Sequence, residues 1–158
     1  MQAVEDGVII DIEEENQTSS LLGKLLVPKG GQVTHRDRFY LPSIVQVSYG
    51  FGPDRQITGF QLCTPVEDFV TEVYVFVTWK LGVFTHLIKP FVPYVGKAVL
   101  MQDMGVLVNQ GEMVKRHGRA YTSAPADTAN LWIQACRARA MSGDGPTQGR
   151  EKQVDFRL

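Results

Sequence analysis

The longest helix-like pattern in the chain, Lys97 to Val114, constrains the fold more than any other stretch. Asp103 and, two turns later, Gln110 fall on its apolar face. Because burying an unpaired carboxylate is costly, we expect Asp103 to be hydrogen-bonded, paired with a cation, protonated or bound to a metal. The apolar residues of this face recur at helical spacings and are Val99, Leu100, Val106, Leu107, Met113 and Val114.

The length and composition are those of one folded domain with a sizeable core. The chain has 158 residues, of which 44% are hydrophobic. We expect a single domain over residues 1–141, followed by a flexible polar tail over 142–158. Its 16 basic residues nearly balance 17 acidic residues, which argues against a nucleic-acid partner.

Cysteine usage and the absence of targeting patterns predict a cytoplasmic protein. Cys63 and Cys136 are too few for a disulfide framework and show no C-x-x-C spacing. The acidic N-terminus does not have the form of a signal peptide. The most apolar window, Val70 to Val95, is interrupted by charged residues and prolines, so we expect no membrane span.

Strand-like patterns dominate the first half of the chain. Val70 to Leu81 is apolar at both parities, which predicts a central strand with both faces covered. The short turns before it favour an antiparallel meander. Leu21 to Val27 could be a short strand or a helical turn. The predicted strands are Gly7 to Ile12, Asp37 to Tyr49, Gln56 to Cys63 and Val70 to Leu81.

Helices follow the strands. We expect one over about Ala98 to Val114, ending near Gly118, and a final one that Ser123 or Asp127 caps and that runs to about Met141. This order predicts an α+β fold in which a long C-terminal helix covers a curved antiparallel sheet, a helix-grip or START-like arrangement. Such a fold leaves an apolar cavity between sheet and helix. Asp103 would face that cavity or the core.

Asp103 has two interpretations. Backbone amides, an arginine or a tyrosine could satisfy it, or it could be a metal ligand or a catalytic acid or base. A non-haem iron site of this kind needs two histidine ligands besides the carboxylate. The chain has three histidines, His35, His86 and His117, and no two of them are spaced four or five residues apart. On one continuous helix His117 would lie about 21 Å from Asp103. His86 and His117 are therefore not natural co-ligands.

Four segments together carry a family resemblance. They resemble the C-terminal catalytic domain of Rieske non-haem iron oxygenases. The segments are Phe60 to Val66, the following strand of alternating valine and aromatic residues, Val99 to Gln110, and Ala124 to Arg137. The most similar branch contains vanillate O-demethylase, dicamba monooxygenase and pheophorbide a oxygenase. The resemblance spans about Ile57 to Arg139. It implies that Asp103 matches the carboxylate ligand of a mononuclear Fe(II) and that Gln110 matches a downstream glutamine.

The chain departs from this family in two places. It lacks the C-x-H and C-x-x-H motifs of the [2Fe–2S] domain and the H-x-x-x-x-H that supplies two iron ligands. We therefore expect no iron on this chain alone. One hypothesis is that the chain is the substrate-binding portion of an aromatic-ring or O-demethylating oxygenase. It would then be active only when another part of the protein or a partner subunit supplies the cluster and the iron histidines. The other is a stand-alone START-like module that binds a hydrophobic small molecule without catalysis.

Both hypotheses predict a hydrophobic or aromatic small molecule as ligand. The parent family resembles trimers, so a homo-oligomer is a further expectation from the resemblance. The candidate pocket residues are Tyr49, Phe51, Leu62, Tyr74, Phe76 and Gln110.

Overall fold

A computed structural model describes residues 1–12, 33–82, 85–119, 122–144 and 149–154. The chain forms two compact units, Met1–Leu81 with Ser123–Leu158, and Gly82–Thr122. The predicted element at Leu21 to Val27 lies outside the described residues.

The first unit contains a curved six-stranded antiparallel sheet. Each strand pairs with the next along the chain, so the spatial order is also the sequence order. This confirms the predicted α+β class and the antiparallel meander. The strands are β1 (Gln2–Val4), β2 (Gly7–Ile12), β3 (Thr34–Tyr40), β4 (Ile44–Gly50), β5 (Arg55–Glu67) and β6 (Val70–Leu81).

The predicted strand from Asp37 to Tyr49 is wrong, because this segment forms two strands. β3 and β4 meet at a tight turn over residues 41–43, which contains the cis peptide Leu41–Pro42. Proline has no N–H to donate to a sheet ladder, so pairing stops there and the chain reverses. The reversal places Tyr40 directly opposite Ile44.

The predicted central position of Val70 to Leu81 is also wrong. Among the described strands, β6 pairs with β5 alone and lies at the edge of the sheet. Its side chains are exposed on both faces, with Phe76 57% exposed on one face and Val73 45% exposed on the other. In a meander the last strand has a neighbour on one side only, and an apolar pattern at both parities cannot change that position.

The other edge of the sheet is covered in part by the chain end. Gln2 forms an isolated antiparallel bridge with Glu151. The Ala3 N–H donates to the Arg150 carbonyl at 2.8 Å, and the Lys152 N–H donates to the Met1 carbonyl at 3.0 Å. Residues 150–152, which the sequence placed in a flexible tail, are therefore hydrogen-bonded to β1.

The second unit contains the long helix α1 (Val92–His117), which extends the predicted helix at both ends. Pro93 lies in its first turn, where a missing N–H removes no intrahelical bond. Gly118 ends the helix with φ 74°, as its sequence position predicted, and its N–H donates to the Val114 carbonyl at 2.9 Å. Within the described residues, no helix has the length and apolarity needed to cross a membrane.

The final helix, α2 (Thr128–Ser142), belongs to the first unit and contacts β2. A short 3₁₀ turn precedes it, in which the Asp127 carboxylate accepts the Ala124 N–H at 2.7 Å. The predicted start near Asp127 is thus confirmed. The buried Thr128 hydroxyl donates to the Pro125 carbonyl at 2.7 Å, which holds the first turn in place.

Gly7 provides a test of the tight β2–β3 approach. A Cβ added there would collide with the backbone carbonyl of Phe39 on the neighbouring strand, whereas a Cβ at Gly59 in β5 meets open space. We expect Gly7→Ala to lower the free energy of unfolding by about 1–3 kcal/mol, because backbone must shift. Gly59→Ala, the matched control, should be neutral or stabilising. Urea unfolding of both variants measures this, and equal effects would contradict the close approach.

Candidate functional site

The register of β3 to β6 brings five large side chains onto one face of the sheet. Tyr40, Ile44 and Leu62 are direct cross-strand partners, and so are Phe60 and Phe76 in the adjacent row. Directly paired residues share a face, and residues two apart on a strand return to it. We call this surface the Tyr40 face.

An apolar depression lies on the Tyr40 face and is open to solvent. Its volume is about 470 Å³. Small-molecule sites commonly occupy about 300–1,000 Å³ and have mostly apolar walls with few polar groups. The size and the composition of this depression fit that class. Its lining residues are Tyr40, Leu41, Ile44, Phe60, Leu62 and Phe76.

Tyr40 supplies the polar group of this lining and is held by two neighbours. Its hydroxyl donates to Gln46 Oε1 at 2.7 Å, and Gln46 Nε2 donates to Ser48 Oγ at 2.9 Å. The Arg38 guanidinium lies 4.3 Å from the centre of the Tyr40 ring, a cation–π distance. These contacts fix the orientation of the ring, so its hydroxyl oxygen can accept a hydrogen bond in a defined direction.

Arg38 is itself held by charge. Its Nη2 donates to both carboxylate oxygens of Asp6, at 2.8 and 3.0 Å. Its Nε is buried and has no hydrogen-bond partner among the described residues. The strand register places Arg38 in the same cross-strand row as Phe60 and Phe76. A cation therefore lies on the Tyr40 face beside the apolar depression.

Two of the predicted pocket residues, Leu62 and Phe76, line the depression. Tyr74 lies directly opposite Leu62 on β6 and shares the Tyr40 face without lining the depression. Tyr49 lies on the opposite face, where its ring stacks on His35 with centroids 4.4 Å apart. Phe51 follows β4, and its N–H donates to the Arg55 carbonyl at 2.8 Å.

Sequence reasoning did not identify four of the lining residues. Asp37 to Tyr49 was assigned to one continuous strand, and two residues of the same strand cannot be cross-strand partners. The site formed by Tyr40, Leu41 and Ile44 was therefore not recognised. Phe60 has the same parity as Leu62, so strand alternation in β5 was a signal that could have identified it.

Asp103 and Gln110 lie on α1, in the second unit, and both are exposed. Asp103 was expected to face the cavity or the core, whereas its side chain on α1 is exposed in this structure. The residues that share its helix face, such as Val106 and Leu107, are more than half exposed as well. A carboxylate in water keeps its solvation, so Asp103 needs no partner in this structure.

The described residues contain no group of three histidine, cysteine, aspartate or glutamate side chains that could hold a metal ion. His35 is bound to Asp37 through Nε2 at 3.0 Å and stacks on Tyr49. His86 and His117 are exposed residues of the second unit. These residues do not fit the two-histidine, one-carboxylate site that the family resemblance implies.

Cys136 lies on α2 and is half-buried. Burial raises the pKa of its thiol, and the negative charge of Asp6 raises that pKa further. A raised pKa keeps the thiol protonated at neutral pH, where only the thiolate is a strong nucleophile.

Comparison with known proteins adds no relative: no protein-family model, no curated protein and no solved structure matches the chain. The functional interpretation depends on the geometry of the Tyr40 face and on the segments that carry the resemblance.

The exposure of Asp103 predicts a small effect of its removal. Asp103→Ala should change the free energy of unfolding by no more than about 0.5 kcal/mol, as for other surface substitutions. Asp127→Ala is the matched comparison. It removes the acceptor of the Ala124 N–H at the start of α2 and should cost about 0.5–2 kcal/mol. Thermal melts at pH 7 decide this, and a fall of several degrees for Asp103→Ala would mean that its carboxylate has a structural partner.

Proposed function

We propose that the Tyr40 face binds a hydrophobic or aromatic small molecule, and that the chain is the substrate-binding portion of a Rieske-type oxygenase. The observation that carries the proposal is the apolar depression of about 470 Å³, whose lining includes Tyr40, a residue with a fixed hydroxyl. An apolar wall with a single oriented polar group favours a ligand that is largely hydrocarbon with one polar substituent.

The chemistry of the walls supports an aromatic ligand in particular. Phe60 and Phe76 are direct cross-strand partners, so both aromatic side chains belong to the same face. Aromatic rings favour offset-stacked or edge-to-face contacts with other rings. Leu62 and Ile44 supply aliphatic surface opposite Tyr40. A flat ring that enters the depression would exchange water for these contacts on each side.

The oxygenase part of the proposal comes from the family resemblance of the α1 segment. Asp103 and Gln110 are seven residues apart there, in the order that the iron domain of Rieske oxygenases shows. The described residues offer Asp103 no pair of histidines, so this chain would need a second polypeptide segment for the cluster and the remaining ligands. We derive no catalytic step for this chain alone.

The helix-grip form of the fold belongs to the same proposal. α1 exposes many large apolar side chains, among them Val99, Val106 and Met113. Apolar surface on this scale is costly in water and favours burial against another apolar surface. In a helix-grip protein that surface would be the sheet.

A stand-alone START-like module that binds a hydrophobic molecule without catalysis is the second candidate. It is favoured because the residues that line the depression all belong to the sheet unit and supply apolar surface without an acid, a base or a metal ligand. The coding sequence upstream of Met1 distinguishes the two candidates. An in-frame C-x-H, C-x-x-H and H-x-x-x-x-H set supports the oxygenase, and a ribosome-binding site directly before Met1 supports the module.

Ligand binding can be tested with the neutral fluorescent probe 1-N-phenylnaphthylamine. We expect saturable binding that Leu62→Ser weakens by about tenfold, because a polar side chain replaces part of the apolar wall. Ile57→Ser is the matched control. Ile57 is an equally half-buried residue of β5, but the register puts it on the opposite face, so its variant should bind the probe as the parent chain does. An equal loss of probe affinity in both variants would contradict a site on the Tyr40 face.

Iron binding gives a separate test. We expect anaerobic titration with Fe(II), followed by metal analysis, to show no tight one-to-one site on this chain, since one carboxylate of three ligands holds iron weakly. Asp103→Ala should give the same titration curve as the parent chain. A stoichiometric site that disappears in Asp103→Ala would show that this chain completes the metal centre by itself.

A further inference from the structure

Among the described strands, β6 pairs with β5 alone and forms an edge of the sheet. Two hydrogen bonds, from the Cys63 N–H to the Ser43 carbonyl at 3.0 Å and from the Phe51 N–H to the Arg55 carbonyl at 2.8 Å, show that odd-numbered residues of β5 bond to β4. Because backbone groups alternate in direction along a strand, even-numbered residues of β5 bond to β6. On β6 the N–H and C=O groups of Val73, Val75 and Val77 therefore point away from the sheet.

Within the described part of the chain, this edge lacks the features that commonly prevent strand pairing. Proteins protect edges with prolines, bulges, inward-pointing charges or a covering segment. The β1 edge has such a cover in residues 150–152. β6 contains no proline, and between Glu72 and Lys80 it carries no charge. The only irregularity in its pairing with β5 lies near the hairpin end, at Pro65/Glu67.

We propose that β6 pairs antiparallel with β6 of a second copy of this chain, around a two-fold axis at Phe76. This register puts Val75 opposite Val77 of the second copy, and both residues have outward-pointing backbone groups, so their hydrogen bonds can form. Phe76 then meets its own copy at a non-hydrogen-bonded pair, where side chains are closest. The same patch serves both partners, as a two-fold interface requires.

Charge complementarity selects this register. A two-fold axis at Phe76 places Glu72 opposite Lys80 of the second copy, and the pair occurs twice, once at each end of the interface. Moving the axis by one residue keeps the backbone groups compatible but puts Glu72 opposite Thr78 or Gly82 and removes both ion pairs. Lys80 contacts Asp54 at 3.3 Å in its own chain, but both side chains are more than 70% exposed, so this contact is weak and exchangeable.

The side chains of the strand agree with the same register. Phe76 is 57% and Tyr74 50% exposed on the Tyr40 face, while Val73 and Val77 are 45% and 36% exposed on the opposite face. Pairing continues each face into the same face of the second copy. Exposed apolar side chains from two edges then cover one another, which is favourable on both faces of the joined sheet.

Cross-linking tests the register directly, in the full chain with Cys63→Ser and Cys136→Ala to remove the native thiols. Phe76→Cys should form an intermolecular disulfide under mild oxidation, because only the residue on the axis meets itself. Tyr74→Cys, the matched control, faces Thr78 of the second copy and should remain largely unlinked. Equal cross-linking of both variants, or of neither, would overturn the proposal.

Sedimentation equilibrium of the native chain and of charge-reversed variants tests the interface by an independent measurement. The native chain should dimerise, and Glu72→Lys or Lys80→Glu should raise the dimer Kd by about tenfold or more, because two attractive pairs become repulsive. The double variant Glu72→Lys, Lys80→Glu should return Kd to about the native value. Circular dichroism confirms that each variant is folded. The proposal would be overturned if the native chain stays monomeric, or if the dimer Kd is unchanged in the single charge-reversed variants.

Discussion

The hydrogen-bond ladder that joins β1 to β6 is the constraint on which the first unit depends. Every strand pairs with its neighbour in sequence, and short connections join β1 to β2 and each successive pair from β3 to β6. Since side chains alternate across a strand, one register decides which face every residue of the sheet occupies. The depression, the cation beside it and the open edge all follow from that assignment.

The turn at residues 41–43 shows how strongly the site depends on one local reversal. It pairs Tyr40 with Ile44, and the ladder then carries that row to Leu62 on β5. Without the reversal these residues would be spread along a single extended strand. The hydrogen bond between Tyr40 and Gln46 spans the same hairpin, so the polar group of the site is oriented by the turn that creates its apolar wall.

The two edges of the sheet differ in how their backbone groups are satisfied. At β1 the chain end supplies partners, and Glu151 also accepts a hydrogen bond from the Gln2 side-chain amide at 3.2 Å. At β6 the charges are limited to Glu72 and Lys80, near the two ends of the strand. This placement leaves a continuous apolar edge in the middle and opposite charges where a second strand would need them, a pattern that favours a self-complementary partner.

The amino-acid sequence alone determined the class of the fold: strand alternation in the first half, short turns that require antiparallel pairing, and helical spacing from Lys97 to Val114 with Gly118 at its end. It also identified Leu62 and Phe76, because alternation in a single strand is a local property. Three assignments needed the tertiary structure. Pro42 produces a full reversal, β6 lies at an edge although it is apolar at both parities, and Asp103 is exposed on α1. The physical reason is shared: periodicity reports which residues lie on the same side of an element, whereas burial and cross-strand partners depend on what lies beside that element, which its own residues do not specify.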